Sequence, residues 1–224
     1  MSIQILVPLH TYPEGNSAKA AAHVLAIAKH LSGDVHAVTP VGDFPAITNT
    51  FGNMILDSAA LVASAKKKCQ AKAHDLATAM TSEMERAGVS LRVSEAECMV
   101  SNVEEAVVNL ARYHDLTLVC LIQADSAPKA TAQAAIFDSG RPVLVIPEDV
   151  APKAPEHVMI AWDGSRAAAR AVADSTALLE RARKVSIVSV TDEKELPGED
   201  ILALLASSLE RHKIQSTSAR IKRE

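Results

Sequence analysis

Aromatic side chains are scarce in this chain: only 3% of its 224 residues are Phe, Tyr or Trp. Proteins bind single-stranded nucleic acid and sugars largely by stacking them on aromatic side chains, so the composition disfavours both ligands. The formal net charge is -4, which gives no general attraction to phosphate backbones or anionic membranes. We therefore expect neither nucleic acid nor a membrane as a partner.

Long hydrophobic runs and paired cysteines are also missing. No run approaches the roughly 18 apolar residues of a membrane span, and Pro8 and His10 interrupt the first apolar segment. This pattern predicts a cytoplasmic protein. The three cysteines, Cys69, Cys98 and Cys120, show no C-x-x-C spacing, which argues against a disulfide framework or a zinc site. Cys69 and Cys120 fall on predicted buried elements and are expected to be inert core thiols.

The apolar residues, 48% of the chain, are arranged in alternating strand and helix patterns. In the first half the predicted strands are Ile3 to Leu9, Val35 to Val41, Ser90 to Met99, Leu116 to Ile122 and Pro142 to Ile146. The predicted helices are Ser17 to Lys29, Leu56 to Arg86, one opened by a capping box at Ser101 and Glu104, and Asp125 to Ser139. A loop is predicted from Gly42 to Asn53. Strands that alternate with helices imply a parallel sheet, so residues 1–149 are predicted to form one doubly wound α/β domain, followed by a linker over 150–157.

The second half begins the same pattern again. Val158 to Trp162 is a continuous apolar strand, and Ser165 is placed to cap a helix running to Arg183. A strand from Val185 to Val190, a helix from Glu199 to His212 and a short strand from Ser216 to Ile221 complete the predicted elements of this half. Residues 158–224 thus repeat the first three strands and two helices only, which predicts an open apolar edge at Val158 to Trp162.

Three segments carry a family resemblance: ILVPL at Ile5 to Leu9, VMIAWDGS at Val158 to Ser165, and PVLVIPE at Pro142 to Glu148. With them, the chain resembles a universal stress protein of the tandem kind, with an incomplete second unit. The resemblance implies a five-stranded parallel sheet in the order 3-2-1-4-5, with ligands bound where the order reverses. It also implies a cytoplasmic stress-response protein that is not an enzyme.

Family members that bind ATP use an Asp after the first strand and a glycine-rich loop after the fourth. The first unit departs from both features, because His10 stands near the Asp position and no glycine follows the fourth strand until Gly140. Asp125 would also place a carboxylate where a phosphate has to sit. We therefore expect no family-type ATP binding in this unit. A direct pair between His10 and Asp125 is one possible arrangement of the vacant site.

In the second unit Asp163 matches the family's Asp, and Ala161 and Val190 lie at neighbouring strand ends that could flank an adenine. The resemblance thus implies Ala161, Asp163 and Val190 as nucleotide-binding residues and ATP or another adenine nucleotide as the ligand, with no cofactor required. The phosphate loop would lie beyond Glu224. An alternative role for Asp163 is to accept amide hydrogen bonds within its turn.

Two functions therefore remain open. One is a stress-response protein that binds an adenine nucleotide in its second unit. The other is an interaction or dimerisation module without nucleotide, and a homodimer is the expected assembly. A third function, a hydrolase with a nucleophile elbow at Asp163 to Ser165, is weaker, because Ala167 replaces the second glycine of that motif.

His23 and His30 are two helical turns apart, too far to share a metal ion, and are predicted to be surface residues.

Overall fold

The computed structural model describes residues 2–43, 58–123, 125–192, 196, 198 and 200–222. The chain divides into two compact units, Met1–Lys153 and Ala154–Glu224, and the division falls within the segment predicted as a linker. From position 44 onward, the loop predicted from Gly42 to Asn53 lies outside the described residues. Its first two residues instead extend the second strand.

The first unit contains five parallel strands connected by helices. Its elements are β1 (Ile3–Pro8), α1 (Lys19–Leu31), β2 (Gly33–Asp43), α2 (Ser58–Ala87), β3 (Leu91–Met99), α3 (Val103–Ala111), β4 (Leu116–Leu121), α4 (Ala127–Asp138) and β5 (Val143–Pro147). The strand order β3-β2-β1-β4-β5 confirms the predicted order. β1 pairs with β2 along its whole length but with β4 only at Ile5 and Leu6. The order of the strands along the chain reverses between β1 and β4, which is the topological switch point of the sheet.

The core of this unit is aliphatic, as the composition predicts. Ile5, Leu6 and Val7 of the central strand β1 are completely buried. The predicted stripe of α2 is buried throughout; it consists of Cys69, Ala73, Leu76, Met80 and Met84. Each of the larger side chains, such as Leu76 and Met80, contributes about 1.5–3 kcal/mol to the free energy of folding when it is buried, so packing holds α2 along its length.

The start of α3 differs from the prediction. Ser101 lies in a 3-10 turn over Val100–Asn102, and α3 begins only at Val103. The Ser101 hydroxyl donates to Asn102 Oδ1 at 2.8 Å, and no side chain caps the helix. The predicted capping box is wrong because the 3-10 turn separates Ser101 from the first amides of the α-helix.

The second unit contains three parallel strands in the order β6-β7-β8. Its elements are β6 (His157–Ala161), α5 (Arg166–Asp174), α6 (Thr176–Leu179), β7 (Lys184–Val190), α7 (Ile201–Arg211) and β8 (Ser216–Ile221). The helix predicted to run from Ser165 to Arg183 is wrong in its extent. It breaks at Ser175, whose hydroxyl donates to the Val172 carbonyl and competes with the helical hydrogen bonds.

The open edge predicted for the second unit is β6, which pairs with β7 alone among the strands that the structure describes. Ile160 faces the core and is 7% exposed, whereas Met159 on the opposite face is 66% exposed. α5, which follows β6, contains no buried residue. The methionines were predicted to fill the core; that is correct for Met80 and Met84 but wrong for Met159, because among the described residues no element covers its face of β6. No described helix combines the length and apolar character needed to cross a membrane.

Ser165 gives a direct test of local helix capping. Its Oγ accepts a hydrogen bond from the Ala168 amide at 3.1 Å, as predicted. We expect Ser165→Ala to lower the free energy of unfolding of the second unit by about 1 kcal/mol. Ser101→Ala is the matched control and should change stability by less than about 0.5 kcal/mol. Urea unfolding followed by circular dichroism measures both; equal effects would contradict the assignment of Ser165 as a cap.

Candidate functional site

The carboxyl ends of β1, β4 and β5 converge where the strand order reverses. Doubly wound sheets bind ligands at such a point, because the loops there separate to opposite faces. Here the loop after β1, residues 10–16, contacts Asp125 after β4 and Glu148 after β5. This edge of the first unit is the first candidate site.

Asn16 is the central residue of this edge and is completely buried. Its Oδ1 accepts a hydrogen bond from the His10 amide at 2.7 Å. Its Nδ2 donates to the Cys120 carbonyl at 3.0 Å and to Glu148 Oε1 at 2.5 Å. One side chain thus connects the ends of three strands. The sequence analysis missed Asn16, because a single Asn within a turn has no distinguishing pattern.

Glu148 is a buried carboxylate, 8% exposed, with three hydrogen-bond donors. Besides Asn16, the Ser17 amide donates to Oε2 at 3.1 Å and the Ser17 hydroxyl at 2.7 Å. These bonds place its negative charge near the amino terminus of α1, which favours an anion. Ser17 was predicted to open this helix. α1 begins at Lys19, whose amide donates to the Ser17 hydroxyl at 3.3 Å, and that hydroxyl in turn donates to Glu148.

Asp125 is a second buried carboxylate, 5% exposed. Its Oδ1 accepts from the Ala127 amide at 2.9 Å, at the first turn of α4, and its Oδ2 accepts from the Gly15 amide at 3.3 Å. Gly15 has a φ of +71°, and a Cβ there would lie 2.8 Å from the His10 carbonyl oxygen. Only glycine therefore fits this turn. As predicted, a carboxylate lies at the helix terminus where a phosphate would bind.

His10 is buried beside Asp125 and is 3% exposed. Burial lowers its pKa from 6.5 to about 4, although the Asp125 charge acts in the opposite direction. His10 is therefore neutral at pH 7. Its Nε2 has no hydrogen-bond partner among the described residues. The direct His10–Asp125 hydrogen bond considered above is not formed, because the Asp125 oxygens accept backbone amides instead.

A cavity of about 160 Å³ lies next to His10, on the side of β2, α2 and α3. Residues that line it include His10, Thr11, Cys69, Val103, Glu104 and Ala127. Cys69 is buried, as predicted, and burial raises the pKa of its thiol. Cys120 is also buried, and burial together with the Glu148 charge raises its pKa to about 12. Both thiols are protonated near neutral pH and therefore poor nucleophiles.

The residues predicted to bind a nucleotide lie in the second unit. Ala161 ends β6 and Val190 ends the neighbouring strand β7. Asp163 follows β6 and its Oδ1 accepts from the Ser165 amide at 2.8 Å, which is the alternative role considered for it. The intervening residue, Trp162, accepts a hydrogen bond from the Ser189 hydroxyl through its carbonyl. Its indole donates to the Ile201 carbonyl at 3.1 Å. The three predicted residues thus share one edge of the sheet, and their nucleotide role stays a prediction.

The prediction that His23 lies on the surface is wrong. His23 is 2% exposed on α1, and its Nε2 has no hydrogen-bond partner among the described residues. α1 buries a broad face that includes this imidazole; its other buried residues are Ala20, Ala21, Val24, Ile27, Ala28 and Leu31. His30, on the same helix, is half-buried. Within the described ranges, no group of three or more His, Cys, Asp or Glu side chains is placed to hold a metal ion.

A chain of hydrogen bonds through two histidines was also missed. His114 Nδ1 lies 2.8 Å from the Leu110 carbonyl, which only accepts, so Nδ1 carries the proton. In neutral His114, Nε2 therefore accepts from His36 Nδ1 at 2.9 Å. His36 Nε2 in turn accepts from the Ser94 hydroxyl at 2.8 Å. Burial, together with Arg92 and His114, lowers the pKa of His36 to about 4.

Comparison with solved structures identifies the fold. A universal stress protein from Archaeoglobus fulgidus DSM 4304 matches 100% of this chain with 78% of its own, at a TM-score of 0.71 and 16% identity. UspA from Lactobacillus plantarum matches 64% of this chain with 97% of its own, at a TM-score of 0.42 and 19% identity. A universal stress protein in complex with cAMP matches 66% of this chain with 100% of its own, at a TM-score of 0.36 and 15% identity.

No family model and no curated protein matches the sequence. The first structural match covers both units, so the chain has the fold of the universal stress proteins. This agrees with the resemblance noted from the sequence.

The depressed pKa of His10 predicts an acid-sensitive fold. The folded state holds His10 neutral, so its contribution to stability is complete above pH 6.5 and is lost as the pH falls towards 4. The shift corresponds to about 3 kcal/mol. We expect His10→Leu to reduce the pH dependence of unfolding in this range, measured by urea titration at several pH values. An unchanged dependence would contradict the assignment.

Glu148 should be essential for the stability of the first unit. Glu148→Gln replaces one acceptor oxygen by an amide that faces other donors. We therefore expect a loss of about 2–4 kcal/mol in the free energy of unfolding. Asp149→Asn, at the adjacent exposed position, is the matched control and should have little effect. Similar stabilities of the two variants would show that the Glu148 hydrogen bonds contribute little.

Proposed function

We propose that this protein is a cytoplasmic stress-response protein of the universal stress type that acts by pairing with a second copy of itself. The observation that carries the proposal is the edge strand β6 of the second unit, which has no paired strand on one side among the described residues. The proposal assigns no catalytic residue and requires no cofactor.

The two carboxylates act against a bound phosphate in the first unit. The backbone amides of Gly15, Ser17 and Ala127 already donate to Asp125 or Glu148. A phosphate would have to displace a buried carboxylate or lie directly beside it, and two negative charges side by side repel each other. This supports a first unit that does not bind ATP in the family's manner.

The edge strand β6 supports self-association. One side of its backbone has no neighbouring strand among the described residues, and Met159 is exposed beside it. Exposed edges usually carry charged residues or proline, whereas HVMIA over His157–Ala161 contains neither Lys, Arg, Asp, Glu nor Pro. Two β6 strands that pair antiparallel about a two-fold axis would bury this edge in a self-complementary interface.

Binding of ATP or another adenine nucleotide by the second unit is the second candidate function. It is favoured by the position of Asp163 at the carboxyl end of β6, directly before the capped first turn of α5. Ala161 and Val190 lie at the neighbouring strand ends. This is the edge at which parallel sheets bind ligands.

Self-association can be tested with one charged substitution. We expect the wild-type protein to be a dimer by size-exclusion chromatography with light scattering, and Met159→Lys to be a monomer, because pairing about a two-fold axis at the middle of β6 would set two lysines of like charge opposite each other. Leu204→Lys, at an equally exposed position of α7, is the matched control and should remain a dimer. A wild-type monomer at micromolar concentration would refute the pairing.

The nucleotide candidate has its own measurement. If it is correct, denaturing the purified protein releases a stoichiometric amount of adenine nucleotide, identified by chromatography and mass spectrometry. Asp163→Ala should then weaken binding at least about 10-fold, as expected for loss of a charged hydrogen-bond partner. Asp138→Ala, an exposed aspartate of the first unit, serves as the control. A protein that is empty and does not bind added ATP would exclude this candidate.

A further inference from the structure

The sheet of the second unit has one covered face. Ile160 and Ile187 point to the side on which α6 and α7 pack, and every buried residue of these two helices joins them in one hydrophobic cluster. Because side chains alternate along a strand, the residues between them form the opposite face. Its apolar members, here called the uncovered face, are Met159, Ala161, Val188, Val190, Ala219 and Ile221. None of them belongs to the hydrophobic cluster.

The uncovered face is contiguous. The register places Ala161, Val188 and Ala219 side by side across the three strands, and Val190 and Ile221 form the next row. Contiguous apolar patches on soluble proteins mark sites of interaction. All three strands are parallel, and parallel sheets occur almost only where helices cover both of their faces. The uncovered face therefore has the properties of a docking surface for a helix.

The first unit contains the same positions in a covered state. β6, β7 and β8 correspond to β1, β2 and β3, because both sets of strands are parallel and have the same register. In this correspondence Met159 takes the place of Leu6, and Val188 takes that of Val38. Leu6 is completely buried and Val38 is 1% exposed, whereas Met159 is 66% exposed and Val188 is half-buried.

The helix α3 covers these positions in the first unit. Leu6 and Val38 form one cluster with Val107 and Ala111, and further apolar side chains of α3 pack against it. α3 has nine residues and is therefore about 13.5 Å long. A five-residue strand such as β6 extends over roughly 16 Å. A short amphipathic helix thus matches the length of this sheet face.

The charges of the second sheet favour an acidic helix. Its three strands contain Lys184 and Arg220 but neither Asp nor Glu. Lys184 lies on the uncovered side, because it alternates in phase with Val188. Complementary charge selects between partners, so a helix flanked by carboxylates is preferred to a basic one. α3 has this character too, because its first turn contains Glu104 and Glu105 and its nine residues include no Lys or Arg.

We propose that the uncovered face binds an acidic amphipathic helix of a partner protein, with apolar residues spaced as Val103, Val107 and Leu110 are in α3. The partner class follows from the parallel sheet, from the corresponding face of the first unit and from the basic strands. The inference does not rest on the proposed self-association. Pairing of β6 uses the backbone edge of that strand, whereas the helix lies on side chains of all three strands.

A peptide with the sequence of residues 100–115 is a suitable probe, because it contains α3. Short isolated helices are marginal in water, so a covalent link between the exposed positions Asn109 and Tyr113 keeps the peptide helical. Fluorescence anisotropy of the labelled peptide measures binding to the full-length protein, and the Met159 methyl resonance reports its location. We expect saturable binding and a shift of this resonance. Replacing Glu104 and Glu105 of the peptide by Lys should weaken binding at least about 10-fold.

Substitutions in the protein locate the site. Val188→Asp places a charge within the uncovered face and should weaken binding at least about 10-fold, because an unpaired charge is costly to bury. Ile221→Asp, at a 49% exposed position, should do the same and keeps the test decisive if Val188→Asp does not fold. Leu204→Asp, at an exposed position of α7, is the matched control and should bind as the wild type does. Val188 and Ile221 lie outside β6, so both variants should keep the oligomeric state of the wild type.

Any of four results would overturn the proposal. The first is the absence of saturable peptide binding. The second is wild-type affinity in both Val188→Asp and Ile221→Asp, which would place the peptide elsewhere. The third is equal affinity for the lysine-substituted peptide, because the partner would then not need to be acidic. The fourth is binding to vesicles of phosphatidylcholine and phosphatidylglycerol in equal amounts that Val188→Asp abolishes, which would assign this face to a membrane surface.

Discussion

The buried hydrogen bond between the Asn16 amide and the Glu148 carboxylate holds the strand ends of the first unit's candidate site together. These residues are 132 positions apart in sequence, and their contact joins the loop after β1 to the end of β5. The same Asn16 side chain fixes the His10 amide and the end of β4. Loss of either partner would leave a buried charge or a buried amide unsatisfied, so the two depend on each other.

This network determines the local chemistry of the first unit's switch point. The backbone geometry at the switch point still presents amides, but the protein's own carboxylates accept them. The charge that a ligand would otherwise bring is built into the chain. The remaining space beside His10 is small, apolar and bordered by negative charge. At an edge that suits anions in principle, the chain's own carboxylates thus take the place of one.

Periodicity and turn residues were sufficient to predict the order of the elements, the buried stripe of α2 and the open edge at β6. The resemblance added the strand order, and the capping role of Ser165 followed from its position before an alanine-rich helix. Asp125 was placed at its helix terminus from sequence alone.

Contacts between distant residues could not be predicted in this way. Nothing local distinguishes Asn16 and Glu148, or pairs His36 with His114, because these contacts depend on how the strand ends converge. The burial of His23 depends on how much of the α1 surface the rest of the unit covers. Ser101 failed as a predicted cap because one 3-10 turn shifted the helix start.

The two-histidine chain has a direction. With both rings neutral, every hydrogen bond runs from Ser94 towards the Leu110 carbonyl. Because the Leu110 carbonyl can only accept, the proton of neutral His114 is fixed on Nδ1, and the tautomer of His36 follows from it. The Ser94 hydroxyl, on the edge strand β3, must then donate. One carbonyl oxygen in α3 thus sets the orientation of a hydroxyl three hydrogen bonds away, at the edge of the sheet.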